Sequence, residues 1–263
     1  MIENKKEFKL ISKKNPRSLL PNALTIFGVC LGLSSIKFAL DLNYSMAVIA
    51  IGFAAILDTL DGRVARLIKG TSKVGKELDS LTDVISFGVA PSFVMYFWAV
   101  NALGKFGWMT VLIYSVCCAL RLARFNLMEI DENESWKINF FEGVPSPAAA
   151  GLVLLPLILS ISGIFQFENK GIVSCAVILT TSFLMVSKIP TYSLKRISIP
   201  RSLGVFLLLG IGIYLSLVIF YTFQTLFFTG LVYIFLIPIS YFHYKQKNKK
   251  FLETKEEETE DIL

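Results

Sequence analysis

Histidine is nearly absent from this 263-residue chain: His243 is the only one, and it lies beside a C-terminal lysine run. Mechanisms that need a histidine base or histidine metal ligands inside the apolar part of the chain are thereby excluded. Cysteine is scarce as well. Cys30, Cys117, Cys118 and Cys175 fall inside apolar runs without metal-ligand spacing, so they read as small buried hydrophobes. Charge is also short, at 17% of residues against roughly 25% in a soluble domain. Apolar residues fill the gap: they make up 54% of the chain, and the mean hydropathy is +0.62. A single soluble core cannot hide that much apolar surface, so the chain belongs in a bilayer. A secreted disulfide scaffold, a disordered chain and a soluble dinucleotide-binding enzyme are all ruled out.

A helix needs roughly 20 mostly apolar residues to cross a bilayer. That ruler predicts an all-α, polytopic helix bundle with eight spans: 20–40, 45–64, 82–100, 106–124, 148–165, 171–187, 203–221 and 224–242. The first starts too late, and lacks the small-residue site, for a cleaved signal peptide. With the N-terminus inside, the inner segments hold 23 of the 26 Lys and Arg residues, leaving only Lys37, Lys105 and Lys170 outside. This positive-inside bias predicts that both termini face the cytoplasm. Basic residues massed on one face suit anionic membrane lipids, and no nucleic-acid partner is needed to explain the +6 net charge. Residues 1–18 form a basic segment that reads equally as an interfacial amphipathic helix or a topogenic tail. Residues 244–263 are charged, with six carboxylates between Glu253 and Asp261, and read as a solvated tail.

Four aspartates stand at the expected cytoplasmic ends of spans two and three: Asp58, Asp61, Asp79 and Asp83. Ionisable residues at such positions are costly and are functional suspects by default. The i,i+3 and i,i+4 spacings put each pair on one helix face, and the short connection makes the two helices neighbours. Four carboxylates brought together need neutralising. Hard divalent cations with oxygen ligands do this, and with no Cys or His nearby Mg²⁺ or Mn²⁺ is favoured over Zn²⁺. Two such ions are a known arrangement for phosphoryl transfer. Around the pairs, Gly62 and Ala65 leave room, Arg66 and Lys69 offer cationic donors, and Gly75 allows close backbone approach. Helix packing by the small residues and headgroup snorkelling by Arg66 are the structural alternatives.

Asp58-Thr-Leu-Asp61-Gly62-Arg-Val-Ala65-Arg66, followed after eight residues by Gly75-Lys-Glu-Leu-Asp79-Ser-Leu-Thr-Asp83, resembles the full signature of the CDP-alcohol phosphatidyltransferases. Ser86-Phe-Gly-Val-Ala-Pro91, Arg121-Leu-Ala-Arg124-Phe-Asn126, Phe141-Glu-Gly143-Val-Pro145-Ser146-Pro147 and Leu184-Met-Val-Ser187 resemble that family's phosphatidylserine synthase branch. Pro21-Asn22-Ala23-Leu24-Thr25 is similar to a segment found across the superfamily.

The resemblance implies a six-helix family core over residues 19–200, with two additional helices in 201–243. It also implies transfer of the phosphatidyl group of CDP-diacylglycerol to L-serine, with CMP released. Asp58, Asp61 and Asp79 become metal ligands, and Asp83 joins the second metal or acts as base. Gly62, Ala65, Arg66, Gly75 and Thr25 line the CDP-lipid site. Arg121, Arg124, Asn126 and Ser146 are candidates for serine binding, with Arg121 and Arg124 equally readable as topogenic anchors. A homodimer in a bacterial or archaeal plasma membrane, with a cytoplasmic active site, is also expected. Two alternatives stand beside this reading. One is glycerol 3-phosphate as acceptor on the same machinery, and the other is a carboxylate-lined cation transporter.

Overall fold

The computed structural model describes residues 19–70, 72–127, 140–193 and 204–260. The N-terminal basic segment, the acidic run Glu129–Glu134, whose sequence reads as solvated, and Lys195, Arg196 and Arg201 lie outside them. Helix α1 (Leu19–Leu40) turns back at Leu42, whose φ is +61°, into α2 (Tyr44–Leu67). The Asn43 side chain caps α2 by accepting from the Met46 amide. A tight turn with Lys69 at φ +51° leads to α3 (Lys73–Asp83), where Ser72 Oγ accepts from the Gly75 amide at 3.0 Å. That hydroxyl satisfies one of the amides a helix start leaves unpaired.

From α3 the chain continues without a break through a π-helical segment, Val84–Val89, into α4 (Ala90–Trp98). Span three was expected to begin at residue 82. Its helix begins at Lys73, because the first turns carry the polar motif and escape a hydropathy count. The rest of the bundle is α5 (Lys105–Leu127), α6 (Ser146–Ile161), α7 (Lys170–Val186), α8 (Gly204–Phe220) and α9 (Thr222–Glu260).

Five helical segments, Leu19–Leu40, Tyr44–Leu67, Val74–Trp98, Lys105–Leu127 and Thr222–Lys249, are long and apolar enough to cross a membrane. Helices α6, α7 and α8 are apolar but shorter, at 16, 17 and 17 residues. At 1.5 Å per residue they reach about 25 Å, a little less than the hydrocarbon core. The chain is an all-α polytopic membrane protein, with eight apolar helical rods among the described residues. Two further features depart from the sequence expectation. A small antiparallel ribbon pairs β1 (Phe140–Glu142) with β2 (Pro190–Tyr192), Phe140 opposite Tyr192. The last span does not stop at 242; α9 runs on as helix to Glu260, through most of the expected tail.

Helix α6 is the centre of the bundle, with Leu152, Val153, Leu154, Leu157 and Ile158 all buried. Close approaches fix the helices around it. A Cβ at Gly32 of α1 would lie 2.6 Å from Ser86 Oγ and 2.9 Å from Ser86 Cα, so the π segment packs directly on α1. Hydroxyls from α5 serve the carbonyls that the π segment frees: Tyr114 donates to the Phe87 carbonyl (3.0 Å) and Ser115 to that of Gly88 (3.5 Å). Helix α8 buries nothing, and α9 packs on α6 and β2 at the bundle's edge.

Candidate active site

The second half of α2 and all of α3 flank a cavity of about 550 Å³. Asp61, Gly62, Ala65 and Arg66 line it from α2, Gly75, Lys76 and Asp79 from α3, and Pro21, Asn22 and Thr25 from the start of α1. Helical periodicity aims Asp58 and Asp61 at Asp79 and Asp83, as their spacing predicts. Carboxylate oxygens of Asp58, Asp61 and Asp79 lie within 4.8 Å of one another. Asp58 lies close to both Asp79 and Asp83. Thr25 donates to Asp61 Oδ2 at 2.6 Å, which fixes the orientation of that buried carboxyl. Asp83 Oδ1 is buried and has no hydrogen-bond partner.

The glycines differ in what they do. A Cβ on Gly62 would meet nothing within 4 Å, so this position keeps the cavity open. A Cβ on Gly75 would stand 3.0 Å from both Asn22 Oδ1 and Ser72 Oγ, so Gly75 lets α3 start against α1. Of the two cations expected beside the motif, Arg66 lines the cavity and Lys69 does not. The turn takes Lys69 away in a left-handed conformation, and Lys76 stands at the cavity instead. The sequence reading passed over Asn22, Ser72 and Lys76; the position of Asn22 within Pro21–Thr25 was the available signal.

The candidates for an acceptor site separate into two groups. Arg121 is buried, and its Nη1 donates to Ser146 Oγ at 2.6 Å. Its positive charge acts on Asp83, so Arg121 and Ser146 stand behind the carboxylate cluster. Arg124 instead donates to the Val186 and Ser187 carbonyls at 2.8 and 3.3 Å, closing the C-terminus of α7. Asn126 donates to Ser80 Oγ at 2.9 Å and thereby ties α5 to α3. These two side chains are engaged by the scaffold.

The family model for CDP-alcohol phosphatidyltransferase matches residues 18–186, from the start of α1 to the end of α7. The chain belongs to the CDP-alcohol phosphatidyltransferase family. It is 35% identical over 223 residues to the CDP-diacylglycerol–serine O-phosphatidyltransferase of Mycobacterium leprae (strain TN), covering 84% of this chain and 74% of the relative. It is 40% identical over 204 residues to the protein of the same description from Helicobacter pylori (strain ATCC 700392 / 26695), covering 78% and 83%. A third relative so described, from Bacillus subtilis (strain 168), is 37% identical over 177 residues, covering 67% of this chain and 92% of its own length. Membership of a transferase family removes the cation transporter as an alternative. CDP-alcohol phosphatidyltransferases generally depend on divalent metals, and the aspartate cluster of this chain suits that chemistry. Helices α8 and α9 lie beyond the family match.

Proposed function

We propose that this transferase moves the phosphatidyl group of CDP-diacylglycerol to the hydroxyl of L-serine, giving phosphatidylserine and CMP. The observation that carries the reading is the likeness, at 35–40% identity over most of the chain, to proteins described as CDP-diacylglycerol–serine O-phosphatidyltransferases. Electrostatics supports a metal at the cluster. Among the described residues no lysine or arginine forms an ion pair with any of the four aspartates, and the orphaned Asp83 Oδ1 awaits a partner. All the donors are oxygens, which suits Mg²⁺ or Mn²⁺, two ions by the number of carboxylates. Asp58, Asp61 and Asp79 would hold these ions, and Asp83 would join them or serve as base. When bound, the metal neutralises negative charge on the pyrophosphate and on the departing phosphate.

The chain's own side chains supply the rest. Gly62 and Ala65 leave space for the nucleotide, Gly75 brings α3 close, and Arg66 pairs with a phosphate. Thr25 lines the CDP-lipid site and keeps Asp61 in place. Asp83 accepts the proton of the serine hydroxyl, so that its oxygen attacks the lipid-side phosphorus as the bond to CMP breaks. Arg121, hydrogen-bonded to Ser146, offers its charge to the acceptor's carboxylate. The membrane arrangement follows the basic residues: both termini and the site face the cytoplasm, where anionic lipids meet the basic surface. The resemblance adds a homodimer.

The test is CMP release by the purified protein from CDP-diacylglycerol, with Mg²⁺ or Mn²⁺ and with either L-serine or glycerol 3-phosphate. Serine-dependent release that stops in excess chelator is the expected result. Release with glycerol 3-phosphate alone would replace serine as the acceptor.

A further inference from the structure

Six buried side-chain polar atoms among the described residues lack a hydrogen-bond partner, and four of them belong to Arg121, to two residues within its electrostatic range, or to the residue that follows the strand met by Tyr233. Arg121 is only 7% exposed; Ser146 takes its Nη1, and its Nε has no partner. No carboxylate of the described residues lies within ion-pair distance of this guanidinium. Ser193, 6% exposed, holds a buried hydroxyl without a partner. It follows β2 directly and, by strand alternation, shares a face with Thr191. The Thr191 hydroxyl is already committed to the Gly143 carbonyl at 2.8 Å. Tyr233 arrives from α9: its buried hydroxyl faces Thr191 without completing a hydrogen bond, and it lies within electrostatic range of Arg121. The fourth atom is Asp83 Oδ1, which feels the charge of Arg121 from the carboxylate cluster.

Buried polar groups are nearly always paired, so an unpaired group needs a reason. Here three orphaned donors, Arg121 Nε and the hydroxyls of Tyr233 and Ser193, accompany one orphaned acceptor. We propose that Tyr233 and Ser193 join Arg121 in binding the carboxylate of an amino-acid acceptor, so that α9, outside the family match, completes the acceptor site. The inference rests on the reading of serine as acceptor. A carboxylate takes several donors and needs one compensating charge, which is what the group offers. A phosphate dianion would require further cations; among the described residues of the group Arg121 is the only one, and Arg124, within its electrostatic range, is spent on the α7 carbonyls. With the carboxylate held on the Tyr233 side, the acceptor's hydroxyl is directed toward Asp83. The placement of α9 fits this role. Ser240, its fully buried residue, lies seven positions beyond Tyr233 on the same helix face, whereas Val232, Phe235 and Ile239 are exposed.

Steady-state CMP release by the purified full-length protein tests the proposal, with Tyr233→Phe and Ser193→Ala as variants. Each should raise the KM for serine roughly ten-fold, the loss of one hydrogen bond to a charged group, with kcat and the KM for CDP-diacylglycerol little changed. Serinol, which is serine with its carboxylate reduced to an alcohol, should inhibit wild type and Tyr233→Phe with the same constant. An unchanged serine KM in both variants overturns the proposal. So does a rise shared equally with the CDP-diacylglycerol KM, or a fall in kcat with both KM values unchanged, which would make Tyr233 a packing residue. A wild-type protein that releases CMP with serine leaves the functional reading intact whichever way the variants behave. Wild type inert with serine overturns that reading and this inference with it.

Discussion

At the scale of single residues the four aspartates differ in their surroundings. Asp58, Asp61 and Asp79 offer oxygens within 4.8 Å of one another, whereas Asp83 keeps a buried oxygen with no donor. Each of Asp58→Asn, Asp61→Asn and Asp79→Asn should abolish metal-dependent CMP release, because an amide removes charge from an all-oxygen site. Full activity of any of them would take that residue out of the metal set. Asp83→Asn should lower turnover by roughly 100-fold or more, the worth of a general base, while CDP-diacylglycerol still binds. Equilibrium binding beside CMP release decides this, and loss of binding would make Asp83 chiefly a ligand. Gly62→Ala probes the cavity itself. The new methyl meets nothing in the protein, so the melting temperature should hold while the KM for CDP-diacylglycerol rises. An unchanged KM would place the nucleotide elsewhere.

At the scale of elements, the continuous helix from Lys73 to Trp98 carries two aspartates at one end and a close approach to α1 in its middle. Its π segment, Val84–Val89, shifts the backbone pairing and leaves the Phe87 carbonyl to the Tyr114 hydroxyl. Tyr114→Phe strips that buried carbonyl of its donor and should destabilise the protein by about 1–3 kcal/mol. Gly32→Ala forces a methyl against Ser86 and should lower the melting temperature in detergent as well. Unaltered melting of both variants would mean that α1 and the π segment pack more loosely than this. Hydropathy located the rods and helical spacing located the carboxylates, because both depend on regular periods. The π segment leaves no mark in composition. Strands of three residues are too short to show alternation, and the β1–β2 ribbon joins residues far apart in the chain, so it was invisible too. Tyr233 lies in a run of Tyr and Phe where the sequence cannot tell an inward hydroxyl from a lipid-facing ring.

At the scale of the whole molecule the helices sort their ends onto two faces. One face gathers the end of α1, where Lys37 pairs with Asp41, and the meeting of α4 with α7, where Lys170 Nζ lies 5.8 Å from the Trp98 ring. Lys105 begins α5 on the same side. These are the three lysines left over when the other 23 Lys and Arg residues are given to the opposite face. That opposite face holds the carboxylate cavity, the Arg124 clasp on the end of α7 and the β ribbon. The connection from α6 to α7 must therefore open on the lysine-poor side and Lys188 on the other. In a background without the four native cysteines, Glu168→Cys should react with a membrane-impermeant thiol reagent in intact cells. Lys188→Cys should react only after the membrane is opened. The charge count predicts this orientation: segments carrying 23 Lys and Arg residues are kept in the cytoplasm during insertion, whereas three are easily carried across. The proposed chemistry predicts it as well, since a nucleotide leaving group and a free amino acid are then met on the cytoplasmic side. Labelling of Lys188→Cys in intact cells, with Glu168→Cys protected, would invert the molecule and put the aspartate cluster on the wrong side for its substrates.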